Sequence, residues 1–96
     1  MENINMYNKL IGKFENQLVI YINSLKEKAE SKAYTNEELK LLFEVIKEEW
    51  RIFDNLITKM FFYDLITEDE YSKVYEDGYK KYKEYFNIGT KIIINR

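Results

Sequence analysis

Proline is absent from all 96 residues, and glycine occurs only at positions 12, 78 and 89. Proline removes a helix hydrogen bond and clashes with the preceding turn, so a chain without it has almost no enforced break. Apolar residues recur here every three or four positions, the spacing that gives a helix one greasy face. Ninety-six residues are enough for one core and too few for two. The expected fold is therefore a single all-α domain over residues 1–96. It is a small three-helix bundle of helical hairpins, with a short apolar C-terminal tail and the option of completing a larger bundle by dimerisation.

The expected helices cover about residues 4–29, 36–63 and 68–86, with the tail at 87–96. In the first, Ile4, Tyr7, Ile11, Phe14, Leu18, Tyr21 and Leu25 alternate spacings of three and four, and Asn3 or Asn5 is the candidate cap. The second opens with Thr35-Asn36-Glu37-Glu38, a capping box in which threonine and glutamate satisfy each other's amides. It carries a main face (Leu39, Leu42, Phe43, Ile46, Trp50, Phe53, Ile57, Met60, Phe61) and a second strip (Leu41, Val45, Ile52, Leu56, Tyr63). Two apolar strips predict a central helix with two neighbours. The third opens with the same signal, Thr67-Glu68-Asp69-Glu70, and its apolar arc is mostly tyrosine: Tyr71, Tyr75, Tyr79, Tyr82, Tyr85 and Phe86, with Val74 at the margin. Asn87-Ile88-Gly89 has the composition of a helix stop. The β-branched tail containing Ile92, Ile93 and Ile94 is expected to pack back on the bundle or to form an edge strand in an oligomer.

Composition excludes much of enzymology. With no Cys and no His, thiolate chemistry, a Ser-His-Asp triad and the usual zinc sites are out of reach, and a disulfide framework is impossible. The expectation is a non-enzyme with no catalytic residues, no cofactor and no metal. A net charge of −2 gives no general attraction to nucleic acid or anionic lipid. No apolar run is long enough to span a membrane, and residues 1–10 are polar, unlike a signal peptide, so a cytoplasmic protein is expected. Lys, Ile, Asn, Tyr and Phe, whose codons are A/T-rich, dominate over Ala, Gly, Pro and Arg. That bias points to a low-GC bacterium or one of its phages, plasmids or other mobile elements.

Several local features bear on chemistry. Glu68, Asp69 and Glu70, with Glu76 and Asp77, suit a helix start and i,i+4 pairs with Lys80 and Lys81; they lack the glycine-containing loop of an EF-hand. The same acids would repel phosphates if the third helix were a DNA-reading helix. Glu49 falls between the two strips of the second helix, where a buried carboxylate could act as a general acid but ordinarily reaches the rim or bonds a tyrosine hydroxyl, of which the third helix offers several. Gly78 lies within the tyrosine arc, marking either a close helix approach or a groove for a partner's side chain.

The bundle leaves Val19, Ile20, Phe62 and the isoleucine tail without an assigned place, and tyrosine suits surfaces that alternate between water and a partner. The resulting expectation is a small protein-binding module of the regulator or inhibitor type. Its candidate contact residues are Tyr71, Tyr75, Gly78, Tyr79, Tyr82, Val19, Ile20 and Phe62, facing a protein partner or a second copy. The alternative is a nucleic-acid-associated protein using the local basic patch Lys80, Lys81, Lys83, Lys91 and Arg96.

Overall fold

The computed structural model describes the backbone of residues 2–95 and the side chains of residues 6–95. It contains three helices, α1 (Glu2–Glu30), α2 (Asn36–Phe62) and α3 (Glu68–Ile94), and every pair of them packs together. The turns at 31–35 and 63–67 are short, so α2 runs antiparallel to both neighbours. Cross-helix contacts agree: Phe14 stacks on Phe53, Trp50 meets Tyr79, and Phe43 meets Phe86. The result is a rod of 48 × 20 × 15 Å.

Both threonine capping boxes form. The Thr35 hydroxyl accepts from the Glu38 amide while Glu38 accepts from the Thr35 amide, and Thr67 and Glu70 do the same for α3. Helix α1 starts earlier than expected, so Asn3 and Asn5 lie inside it rather than at its cap. The core is built from Phe14, Leu18, Ile22 and Leu25 of α1, six residues of the main face of α2, and Val74 of α3.

Three expectations need correction. Helix α3 does not stop at Gly89; it continues to Ile94 and is capped at Asn95, whose amide donates to Lys91 O. No glycine has a positive φ, so Gly89 is an ordinary helical residue in its backbone. Burial of Ile92 and Ile93 against the core supplies the reason, outweighing the ~1 kcal/mol that glycine costs in a helix. The tail is accordingly helix, not strand or coil. Helix α2 is not central: α1 and α3 also pack on each other, each helix buries one face, and the second strip of α2 stays outside.

The tyrosine arc is likewise displaced from the centre of the α3 interface. The residues of α3 that are fully buried are Val74, Gly78 and Gly89, and the tyrosines flank them. Two α2 rings occupy the space the glycines leave. A Cβ on Gly78 would meet Phe53 at Cε1 and stand 2.9 Å from its Cζ; one on Gly89 would meet Phe43 at Cε2 and stand 2.7 Å from its Cδ2. Both rings are buried and cannot swing aside. Around Gly12 a Cβ would meet nothing within 4 Å.

The three glycines should therefore respond oppositely to the same substitution. Gly12→Ala is expected to stabilise by about 1 kcal/mol, the helix-propensity gain. Gly78→Ala and Gly89→Ala are expected to destabilise by about 1–3 kcal/mol through overpacking. Trimming the facing ring, as in Gly89→Ala with Phe43→Leu, should recover part of the loss; urea unfolding of the set measures all of it.

Candidate protein-interaction surface

Trp50 of α2 organises the outer side of the α2–α3 seam. Its ring lies 5.4, 5.5 and 5.3 Å from Tyr75, Tyr79 and Tyr82, and also touches Phe14 and Phe53. From the turn a ribbon of rings runs along the seam: Phe61 to Tyr71 (5.1 Å), Tyr71 to Tyr75 (6.2 Å), Tyr75 to Tyr79 (6.3 Å). Tyr71 and Tyr82 are half-buried in this ribbon, whereas Phe61, Tyr75 and Tyr79 are exposed. Lys83 stands over the Tyr79 ring at 5.7 Å.

At the turn the ribbon meets a group of strongly exposed apolar residues. Phe62, Tyr63 and Leu65 are 80%, 76% and 60% exposed. Their backbone is fixed by a Schellman stop: Leu65 N–H donates to Met60 O at 2.9 Å, Asp64 N–H donates to Phe61 O at 3.1 Å, and Asp64 takes the left-handed conformation at φ 59°. Residues 61–66 place five apolar side chains in one chain reversal, and Ile66 is the one that is buried. At the same end, an apolar cleft of about 270 Å³ is lined by Met6, Tyr7, Asn8, Leu10, Ile66, Glu70, Lys73 and Val74.

The residues named from sequence do not form one patch. Tyr71, Tyr75, Tyr79 and Tyr82 are brought together on the seam, and Phe62 lies at its end. Gly78 offers no groove to a partner, because its notch is filled from within by Phe53. Val19, half-buried, and Ile20, exposed, belong to α1. Phe61, Tyr63 and Leu65 were missed, although five apolar residues in one turn of chain is itself a signal that some must face water.

The basic residues of α3 are engaged locally. Lys80 pairs with Glu76 at 3.7 Å, and Lys81 reaches Glu15 of α1 at 3.0 Å. Lys91 is an exposed residue of the last turn of α3, and Arg96 lies outside the described residues. Glu15 also accepts from the Tyr85 hydroxyl at 3.3 Å, so one carboxylate ties two α3 side chains to α1. The bond that Lys81 donates to Glu15 holds its ammonium above the ordinary pKa, while burial and the Glu15 charge raise the Tyr85 phenol. Burial and Glu49 raise Tyr21, whose hydroxyl donates to Glu49 at 3.5 Å; the partner of Glu49 comes from α1 rather than from the tyrosines of α3. Burial raises Tyr82.

Among the described residues no three acidic side chains converge as a metal site, and no helix is long and apolar enough to cross a membrane. Glu70 is committed to the capping box. No protein-family model, curated protein or solved structure compared with the chain matches it.

Two measurements follow from this geometry. Tyr21, Tyr82, Tyr85 and Lys81 all have raised folded-state pKa values, so their contribution is complete below the unfolded pKa of about 10 and is lost as pH rises through the folded value. Thermal melts should be flat from neutral pH to about pH 9.5 and fall beyond pH 10, with a smaller fall in Tyr85→Phe. Separately, Asp64→Gly should raise stability by about 1 kcal/mol, since glycine holds φ > 0 without steric cost; chemical denaturation reads this directly.

Proposed function

We propose that this chain is a small protein-binding module, of the regulator or inhibitor type, from a low-GC bacterium or one of its mobile elements. It acts by docking a partner protein on the aromatic ridge that runs from the turn along the α2–α3 seam. The observation that carries this reading is the rigid exposure of Phe62 at the end of a ribbon that includes Phe61, Tyr75 and Tyr79. Large apolar side chains presented on a fixed backbone bind at little ordering cost, and tyrosine is enriched where most binding energy concentrates. Asp64, Glu68 and Asp69 are exposed at the same end, so the complementary surface is apolar with a basic rim.

Affinity capture with tagged protein, with and without nuclease, isolates the partner. Phe62→Ala, Tyr75→Ala and Tyr79→Ala are each expected to weaken its binding by more than about 1 kcal/mol while the helical circular dichroism signal holds. Loss of helicity with every loss of binding would make these residues core and the reading wrong. Capture abolished by nuclease, with affinity falling steeply in salt, would turn the assignment to nucleic acid through Lys80, Lys81, Lys83 and Lys91.

A further inference from the structure

The second apolar strip of α2 lies on the side of that helix away from α3, and the described residues leave it uncovered. Leu41, Ile52 and Leu56 are 71%, 52% and 45% exposed, and Val45 and Tyr63 are exposed with them. At about 100° per residue these five fall within an arc of roughly 60°. Glu48 and Lys59 stand in the same line, which makes the seam 41, 45, 48, 52, 56, 59, 63. Its spacings are four, three, four, then four, three, four, and so are symmetric about Ile52.

We propose that this strip is a homodimer interface, in which two copies of α2 pack antiparallel about a two-fold axis at Ile52. A symmetric spacing means that an antiparallel copy meets the strip in register at every level: Ile52 against its own copy, Leu41 against Tyr63, Val45 against Lys59, Glu48 against Leu56. Arg51 of the same helix already bonds both carboxylate oxygens of Glu48; three residues, or about 4.5 Å of rise, separate the level of Leu56 from that of Lys59, so this exposed pair comes within side-chain reach of Lys59 of the second copy, twice per dimer. A parallel pair would set Glu48 against Glu48 and Lys59 against Lys59. The charges thus favour the antiparallel arrangement over the parallel one, and the match of the reversed strip to its own spacing is what fits a second copy as occupant. Beside the centre of the strip, a recess of about 110 Å³ between α1 and α2, lined by Leu10, Phe14, Ile52 and Leu56 among others, gives the facing Ile52 and Leu56 room to seat.

Apart from Tyr63, which stands at the turn, this interface is separate from the aromatic ridge on the α3 side of α2, so the two can be tested apart. The chain has no cysteine, which makes disulfide trapping unambiguous. Ile52→Cys is expected to cross-link to a covalent dimer under mild oxidant, whereas Leu41→Cys, about 33 Å from its copy in the antiparallel pair, does not. Sedimentation of the unmodified chain should show a concentration-dependent dimer. Glu48→Lys and Lys59→Glu should each weaken it at least tenfold, and the double exchange should restore it. A chain that stays monomeric at several hundred micromolar, or cross-links as well through Leu41→Cys as through Ile52→Cys, overturns the proposal. So does a double exchange weaker than either single one. Because Ile52 and Leu41 are exposed in the monomer, retained helicity in each variant separates failed pairing from failed folding. None of these outcomes bears on binding through Phe62, Tyr75 and Tyr79.

Discussion

The bundle depends on two phenylalanine rings lying directly on the α3 backbone. Phe53 fills the space above Gly78 and Phe43 the space above Gly89. Eleven residues, close to three turns, separate the glycines, so both present bare backbone on one face of α3. Ten residues separate the phenylalanines on the antiparallel helix, which lets both seats be occupied together. This lock fixes which side of α3 faces inward, and everything else on that helix follows. Val74, marginal in the tyrosine arc, becomes its most buried side chain. The tyrosines are rotated outward to the flanks, where Tyr85 reaches Glu15 on one side and Tyr75 and Tyr79 bracket Trp50 on the other. The exposed aromatic ridge is thus a consequence of the glycine seats.

Much of this architecture was legible in sequence, for reasons that can be named. Thr35 with Glu38, and Thr67 with Glu70, state their helix starts through local hydrogen bonds, and both came out as expected. The main face of α2 was legible because a strong 3.6-residue period survives any choice of neighbours. Gly89 was not, because composition alone cannot separate a glycine that ends a helix from one that admits a ring. The answer lay in Phe43, forty-six positions away in sequence. The isoleucine tail packs back on the bundle, one of its two expected placements, but its helical form was hidden for the same reason: β-branched residues have weak helix propensity, and burial of Ile92 and Ile93 overrode it. Of the candidate site, the tyrosines and Phe62 were named, but Gly78 belonged to the core, Phe61 and Tyr63 were assigned only to the faces of α2, and Leu65 went unnoticed. Those errors are all of one kind: a single chain gives the faces of its helices but not which face wins when a helix has two.

Helix α2 shows why that ambiguity was left over. A helix with two apolar strips suggests a three-layer arrangement, but three helices can instead close into a triangle in which each contacts both others. The triangle buries one face per helix and excludes the extra strip. Stability does not require the strip to be covered by the same chain, since scattered exposed apolar residues are tolerated on any surface. An ordered row of them along one line of the helix goes beyond that tolerance.

The two apolar surfaces also stand in a definite geometric relation. The ridge follows the α2–α3 seam and ends at the turn, whereas the strip occupies the opposite side of α2. Antiparallel pairing through the strip would therefore leave both ridges uncovered and place the two turns, with Phe62, at opposite ends of the assembly. A monomer offers its partner one aromatic end; such a dimer would offer two, with the Phe62 levels about 30 Å apart along the helix axis. Two weak docking events on one assembly raise avidity without new contacts, provided the partner presents its sites at a matching separation. An 11.8 kDa chain cannot enlarge a single interface much beyond one helix seam. Doubling the number of seams is the physically available route to tighter binding, and the exposed strip of α2 supplies the means.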